Sequence, residues 1–219
     1  MNNPKPTAIV YIDGLNLYRR LLSGFGSYKW LNLFELSQIL LPNYEILFIR
    51  YFTARVRVSE RSPESAIRQD IYWRALRTLE PKLLFHFGSM IRSQRFYPVH
   101  PQVVDSAGNP IRVKVTKTEE KGSDVALGSY MVLDASKSLA DLYVLISSDS
   151  DLAPPLRILK DELDAPTAIF SPNATFTRAL SETKPLMLRE IRPKALELAQ
   201  FPTEMIDSKG KFQRPISWS

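Results

Sequence analysis

The sequence contains no cysteine and only two histidines, His86 and His100. The lack of cysteine excludes disulfide bonds and thiolate metal sites. His86 falls within a predicted strand, so we do not expect a zinc hydrolase. No apolar run approaches the roughly 18 residues that a membrane span needs, and the polar start, MNNPKPT, does not resemble a signal peptide. We therefore expect a cytoplasmic protein without membrane association.

The composition is that of an ordinary globular protein with a basic surface. The 219 residues are 44% hydrophobic and 24% charged, with a formal net charge of +6. This size predicts a single domain, which we place over residues 1–200. A positive net charge favours an anionic binding partner, and nucleic acid is the first candidate. Plain solubility explains the same charge equally well.

Continuous apolar runs alternate with helical patterns along most of the chain. The runs at 8–12, 45–56, 83–91 and 142–146 are typical of strands that are buried on both faces, as in parallel sheets. Strands that alternate with helices at this spacing predict an α/β fold, with a mostly parallel central sheet wrapped on both faces.

Two segments do not follow this alternation. Residues 97–118 are predicted to be an irregular insertion or a hairpin, in which IRVKVTKT is either an edge strand or a basic loop. The position of this segment makes it a candidate for substrate gating or for contacts in a homodimer. Residues 201–219 are polar and basic and are predicted to form a mobile tail.

Acidic residues follow two of the predicted strands. Asp13 comes directly after IVYI, Asp149 and Asp151 follow YVLI, and Asp124 begins a helix after KGS. Ligands of parallel sheets bind beyond the carboxyl ends of the strands, so these carboxylates are predicted to share one crevice. Crowded carboxylates repel each other unless a cation lies between them, and oxygen ligands suit Mg²⁺ or Mn²⁺. Each acid taken singly is explained as well by a helix cap or a turn.

Three motifs resemble those of the NYN domain family, a branch of the PIN-like metal-dependent ribonucleases. They are YIDGLNLY, KGSDVALGSYMVLDA and LISSDSDLAPPLRILKDEL, and their order and spacing match over residues 8–190. The resemblance implies a three-layer α/β/α PIN-like fold, an acidic pocket that binds Mg²⁺ or Mn²⁺, and cleavage of RNA phosphodiester bonds. The positions that match the family motifs are Asp13, Asn16, Asp124, Asp149 and Asp151. Ser148 stands where the family often has glycine, which we expect to alter access to the pocket or its hydrogen bonds.

Within this implied site, we expect Asp13 and Asp149 to bind the metal directly. Asp124 and Asp151 are expected to bind the metal or its waters, or to orient the attacking water. The predicted substrate contacts are those of Asn16, Ser147 and Lys121 with phosphate. Turn stabilisation by Ser147 and a solvated Lys121 are the alternatives for the last two.

A basic segment with interleaved aromatic residues is the predicted RNA surface. Residues 50–95 contain ten arginines and lysines against four acids, and cations with rings are what single-stranded RNA binding uses. Arg55 and Arg57, just past the second strand, are expected to contact phosphates. Lys114 and Lys117 extend the same surface, whereas Tyr72 and Trp73 are expected in the core.

The function that these patterns favour is a metal-dependent endoribonuclease acting on single-stranded RNA. Three alternatives stay open at this point. One is another phosphoryl-transfer enzyme, such as a HAD-type phosphatase. The second is a non-catalytic module for RNA binding or partner docking. The third is a small-molecule enzyme on the same fold, since a fold does not fix a function.

Overall fold

The computed structural model describes residues 4–56 and 63–218. Its main sheet has seven strands: β1 (Thr7–Asp13), β2 (Glu45–Ala54), β3 (Leu83–Pro98), β4 (Arg112–Lys121), β5 (Leu142–Ile146), β6 (Thr167–Ser171) and β7 (Met187–Glu190). Their order is β4-β3-β2-β1-β5-β6-β7. All neighbours pair in parallel except β3 and β4, which are antiparallel. The predicted, mostly parallel α/β fold is confirmed.

Seven α-helices cover the two faces of this sheet in the described part of the chain: α1 (Gly14–Leu17), α2 (Leu33–Leu40), α3 (Ser65–Arg77), α4 (Ser123–Ser136), α5 (Ala153–Asp161), α6 (Arg178–Ser181) and α7 (Pro193–Leu198). Helices α2, α3 and α7 pack into one core, and α4, α5 and α6 pack into the other. Strand β1 separates these cores, and its residues 8–12 have no exposed surface. The continuous apolar run is therefore the sequence signature of a strand that contributes to both cores.

A buried ion pair ties α4 to the sheet. Asp134 on α4, with 2% of its surface exposed, accepts hydrogen bonds from Nε and Nη2 of Arg50 at 2.7 and 2.8 Å and from the Tyr11 hydroxyl at 2.7 Å. Burial, followed by the hydrogen bond to Asp134, raises the pKa of Tyr11, so the phenol stays protonated and keeps donating. Arg50, predicted to be part of the basic RNA surface, is instead a structural residue.

The segment at 97–118 belongs to a long hairpin, which was one of the two predicted alternatives. Strand β3 continues beyond its predicted end at Ile91 and pairs with β4 from Ser89–Lys121 to Pro98–Arg112. Strand β2 pairs with β3 only as far as Gly88, so the hairpin extends away from the sheet beyond that point. We call residues 89–98 and 112–121 the ribbon.

The tail that was predicted to be mobile is folded and packed over residues 201–218, which corrects the expectation for this part of the chain. Its strands β8 (Glu204–Asp207) and β9 (Gly210–Gln213) form a hairpin, and Trp218 packs its ring 6.3 Å from that of Trp30. The physical reason is that a few large apolar side chains bury themselves against the core despite the polar residues around them. No helix among the residues that the structure describes is long and apolar enough to span a membrane.

Arg74 of α3 attaches this hairpin to the domain. Its guanidinium donates to both carboxylate oxygens of Asp207 at 2.7 and 2.6 Å and to the Gly210 carbonyl at 2.8 Å. It also lies 4.2 Å from the centre of the Phe212 ring. The side-chain hydrogen bonds from Arg74 are the largest cause that lowers the pKa of Asp207, from the ordinary 3.8 to about 2.

The substitution Asp207→Asn is therefore expected to lower the thermal stability of the protein more at pH 7 than at pH 2. Because the folded pKa lies below the unfolded one, the stabilisation is fully present above pH 3.8 and is lost as the pH falls through about 2. Thermal unfolding of both proteins across this range measures the effect. The exposed Asp161→Asn, whose nearest lysine nitrogen is 4.0 Å away, serves as the control. An equal loss of stability at pH 7 and pH 2 would contradict the prediction.

Candidate active site

The candidate site lies where the sheet reverses its winding direction. Strands β2 and β3 follow on one side of β1, whereas β5, β6 and β7 follow on the other, which makes the β1–β5 boundary a topological switch point. Ligands of such sheets bind in the crevice outside the carboxyl ends at this point. Asp13 ends β1, and Ser147 directly follows β5, so the fold brings the first and third sequence motifs together.

A buried serine links the Asp13 carboxylate to the backbone of Asp149 at this boundary. The Ser147 hydroxyl donates to Oδ2 of Asp13 at 3.1 Å and accepts the backbone N–H of Asp149 at 3.1 Å. Ser147 has no exposed surface, and its hydroxyl proton is directed at Asp13. The structure thus places Ser147 as a residue that fixes the turn and the acids. This is the alternative to the predicted phosphate contact.

Asp13 and Asp149 each also cap a short helix. Oδ1 of Asp13 accepts the N–H of Asn16 at 2.9 Å, at the start of α1. Oδ1 of Asp149 accepts the N–H of Asp151 at 3.1 Å, at the start of the 3₁₀ turn Ser150–Leu152. Ionised carboxylates offer about four acceptor positions, so these caps leave lone pairs on both groups for a further ligand.

Asn16 and Ser148 connect the loops around the site. Oδ1 of Asn16 accepts from both the N–H and the hydroxyl of Ser148, each at 3.0 Å. Nδ2 of Asn173, a residue that the sequence reasoning missed, donates to the Ser148 hydroxyl at 3.2 Å. The serine that replaces the family's usual glycine therefore adds hydrogen bonds between three loops.

The acids and several cations share an open pocket of about 610 Å³. Its charged and amide residues are Asp13, Asn16, Arg19, Arg20, Lys117, Glu119, Glu120, Lys121, Asp124 and Asp149. Asp151 does not line this pocket. It lies instead with Asp124 in a neighbouring groove between α4 and α5. The structure thus brings three of the four predicted aspartates, Asp13, Asp124 and Asp149, into one pocket.

Glu119 and Glu120 are pocket acids that the sequence did not predict, and Glu120 also caps a helix. Its Oε1 accepts the N–H of Ser123 at 3.0 Å and so caps α4. A Cβ atom at Gly88 would lie only 1.9 Å from Oε1 of Glu120, so the glycine on β3 makes room for this carboxylate. An acid three residues before a helix start is the signal that could have identified it.

Burial is the main cause that raises the pKa of Asp13. Hydrogen bonds from Asn16 and Ser147 oppose this shift, and the charges of Asp149 and Glu120 add to it. Ionisation of Asp13 in this pocket therefore has a cost in folding free energy, which a bound cation would offset.

The donor set fits a hydrated Mg²⁺ or Mn²⁺ ion rather than a closed metal cage. Among the described residues, no three Asp, Glu or His side chains form a group that could hold a metal ion. Mg²⁺ usually keeps several waters and uses one or two carboxylates. Asp13 and Asp149, which line the same pocket, supply two such groups. His86 is stacked 4.6 Å from Phe52 in the sheet, in agreement with its predicted structural place.

The cations of the pocket are not the predicted arginines. Arg55 forms a two-pronged ion pair with Asp70 on α3 and lies 5.5 Å from the centre of the Trp73 ring. The guanidinium of Arg55, which was expected to contact phosphate, thus contacts Asp70 of α3. Arg57 lies outside the described residues. Arg19 and Arg20, which were not predicted, line the pocket together with Lys117 and Lys121, which were predicted as RNA contacts.

Three comparisons with known proteins bear on this site. The NYN domain family model matches residues 7–186, from the start of β1 to the residue before β7. One relative is the 6-hydroxy-3-succinoylpyridine 3-monooxygenase HspA of Pseudomonas putida, 30% identical over 196 residues, which cover 78% of this chain and 61% of the relative. A crystal structure of a protein of unknown function from Vibrio parahaemolyticus has a TM-score of 0.52 at 12% identity. The alignment covers 88% of this chain and 97% of the Vibrio parahaemolyticus chain. That likeness concerns the fold alone.

Mn²⁺ is expected to raise the melting temperature of the protein, and Asp13→Asn is expected to remove this rise. Without metal, the variant should be at least as stable as the unmodified protein at pH 7, because ionising Asp13 destabilises the fold above its raised pKa but not below the ordinary 3.8. A ligand at 100 times its dissociation constant stabilises by about 2.7 kcal/mol. Thermal unfolding with Mn²⁺ and with EDTA measures both effects. A rise of equal size in the variant would contradict the proposed ligand.

Proposed function

We propose that this chain, which belongs to the NYN domain family, is a Mg²⁺- or Mn²⁺-dependent endoribonuclease. The family is generally nuclease-like. The observation that carries the proposal is the pair of carboxylates, Asp13 and Asp149, that line one pocket at the switch point of the sheet. The charges of Asp149 and Glu120 disfavour the ionised form of Asp13, and a bound divalent cation would offset this repulsion.

The residues of the pocket divide the work of phosphodiester hydrolysis by their charge. Asp13 and Asp149 would hold the metal ion. When bound, a divalent cation supplies charge neutralisation and an activated water. Arg20 and Lys121 line the same pocket and bind the phosphate that enters it. Asp124 at the rim accepts hydrogen bonds from waters that surround the phosphate.

The ribbon supports RNA as the substrate. Residues that stand opposite each other in an antiparallel pair lie on the same face. The pairs Ser89–Lys121, Ser93–Lys117, Arg95–Val115 and Tyr97–Val113 therefore form one face. Its inner end lines the acidic pocket through Lys117 and Lys121. Its outer end carries Arg95 and a 40% exposed Tyr97 ring, and cations with stacking rings are what single-stranded RNA binding uses.

The substitution Asp149→Asn tests the proposal. It is expected to lower the cleavage of a circular single-stranded RNA in Mn²⁺ by at least about 100-fold. Binding of the RNA should persist because the ribbon is unchanged. The amide oxygen of asparagine can still cap the 3₁₀ turn, so the local fold is kept. A circular substrate has no ends, so its cleavage also identifies internal attack.

Asp164→Asn is the matched control, since Asp164 is exposed and has a φ of 47° that asparagine also tolerates. It should cleave at the unmodified rate. If the unmodified protein leaves the RNA intact with Mn²⁺ at high enzyme concentration, the proposal is wrong. Cleavage that persists in EDTA would contradict the dependence on metal.

Monooxygenation of a small hydroxypyridine is a second candidate function. The observation in its favour is the name of the relative from Pseudomonas putida, which shares 30% identity. The chain spans about 61% of the length of that relative. Uptake of dioxygen with 6-hydroxy-3-succinoylpyridine and a nicotinamide or flavin reductant measures this activity. We expect no uptake above the rate without the pyridine, and a substrate-dependent uptake would favour this second function over RNA cleavage.

A further inference from the structure

A second cavity lies on the opposite side of α1 from the acidic pocket. It has a volume of about 160 Å³ and is walled by the rings of Tyr18, Tyr51, Tyr72, Trp73 and Trp218. These rings are fixed by their own contacts. The Tyr72 hydroxyl donates to the Leu31 carbonyl at 2.8 Å, and the Tyr72 and Trp218 rings meet edge to face at 6.0 Å. The cavity is therefore a preformed aromatic site.

Polar groups stand among these aromatic walls. Thr53 and Gln69 line the cavity, and Gln69 is held in place because it accepts the N–H of Val56 and donates to the Ala54 carbonyl, each at 2.9 Å. These bonds use the carbonyl oxygen and one amide hydrogen of Gln69, whose amide carries a second hydrogen that can donate to a ligand. Aromatic walls with a few fixed polar groups are typical of small-molecule sites.

Two cations line the cavity as well, and one of them has no anionic partner within the described chain. Arg68 forms an ion pair with Glu64 at 3.1 Å. Lys29 is half-buried, and its Nζ lies 5.8 Å from the centre of the Tyr18 ring. Burial, and then the charge of Arg68, lowers the pKa of Lys29, with no carboxylate acting against them. A bound anion would complete this arrangement.

The segment that separates the cavity from the acidic pocket has an unusual helical form. Residues 14–17 form α1, and Tyr18–Leu22 continue as a π-helix, a conformation that is rare and often found at functional sites. Gly14, Leu17 and Tyr18 line the cavity, whereas Arg19 and Arg20 line the acidic pocket. Leu15 lines both, so the two spaces are separated by a single helical turn.

We propose that this cavity binds one six-membered heteroaromatic ring that carries an anionic group, with the anion at Lys29. An engineered cavity of about 150 Å³ binds benzene, so 160 Å³ takes one ring and excludes a fused pair. The polar groups of Thr53 and Gln69 favour ring nitrogens or ring carbonyls over a hydrocarbon. A pyrimidine nucleotide has this chemistry, and so does a free heteroaromatic acid.

The inference goes beyond the proposed reaction, because binding in the cavity needs neither a metal nor cleavage. The indole N–H signals of the protein report on binding and on its location. Of the three tryptophans, Trp73 and Trp218 line the cavity. The indole N–H of Trp30 donates to the Pro202 carbonyl at 2.8 Å and serves as an internal reference.

The experiment is a nuclear magnetic resonance titration of the full chain in EDTA with four probes. Uridine 3′-monophosphate represents an RNA unit and orotate a free ring acid. Uridine lacks the anion, and adenosine 3′-monophosphate has a fused ring. The Trp73 and Trp218 signals are expected to shift with at least one of the first two probes, and about tenfold less affinity is expected for the last two. If only uridine 3′-monophosphate shifts these signals, the natural ligand is a unit of RNA. If only orotate shifts them, the natural ligand is a free heteroaromatic acid.

Four substitutions test whether the probe binds in the aromatic cavity. Lys29→Gln is expected to weaken the binding of the responding probe about tenfold, the effect of one charge-assisted contact, and to leave uridine unchanged. Lys137→Gln, at an exposed lysine on the other face of the domain, is the matched control. Ser65→Phe, which places a ring into the cavity wall, should abolish the shifts. Asp149→Asn should retain them, which separates this site from the acidic pocket.

The proposal is overturned if neither uridine 3′-monophosphate nor orotate shifts the Trp73 or Trp218 signals at about 1 mM. It is also overturned if Lys29→Gln binds the probe as tightly as the unmodified protein. Equal affinity for the fused-ring nucleotide would reject the single-ring size limit. Loss of binding in Asp149→Asn would reassign the probe to the acidic pocket. The titration contains no metal and measures binding alone. These four results can therefore be interpreted even if the protein fails to cleave RNA.

Discussion

The parallel pairing of β1 with β2 on one side and β5 on the other is the constraint on which the rest of the structure depends. Residues 8–12 contribute to both cores and are completely buried, so the strand cannot shift without exposing apolar surface on both faces. Strands β2 and β3 extend the sheet on one side of β1, and strands β5 to β7 extend it on the other. Whatever follows β1 and β5 must therefore meet at one edge, and Asp13, Ser147 and Asp149 are the residues there.

Bringing these residues together has an electrostatic cost that hydrogen bonds only partly offset. Ser147 and the N–H of Asn16 stabilise the Asp13 carboxylate, whereas burial and the charges of Asp149 and Glu120 disfavour it. Replacing one of these acids by a neutral residue would raise the stability of the fold. Natural proteins often retain such destabilising residues where function requires them. The room that Gly88 leaves for Glu120 indicates that the neighbouring backbone, too, accommodates this crowding.

The sequence predicted those parts of the fold in which local pattern and global burial agree. The continuous apolar runs identified β1, β2 and β5, and strand ends identified Asp13 and Asp149. The missed features depend on partners distant in sequence. Arg55 is paired with Asp70, a choice that periodicity does not encode. The folded tail depends on Trp218 and Phe212 reaching Trp30, and the position of Glu120 depends on a glycine in the facing strand.

The short segment after β1 explains why a glycine follows the first aspartate. A Cβ atom at Gly14 would lie 2.5 Å from the Tyr51 ring and 2.8 Å from the Phe52 carbonyl, so α1 can approach β2 this closely only with glycine. The same close approach makes Tyr51 a wall of the aromatic cavity while Asp13, one residue earlier, caps α1 from the acidic side. Leu15 lines both the aromatic cavity and the acidic pocket, so the helical turn that Asp13 caps is the common wall of the two spaces.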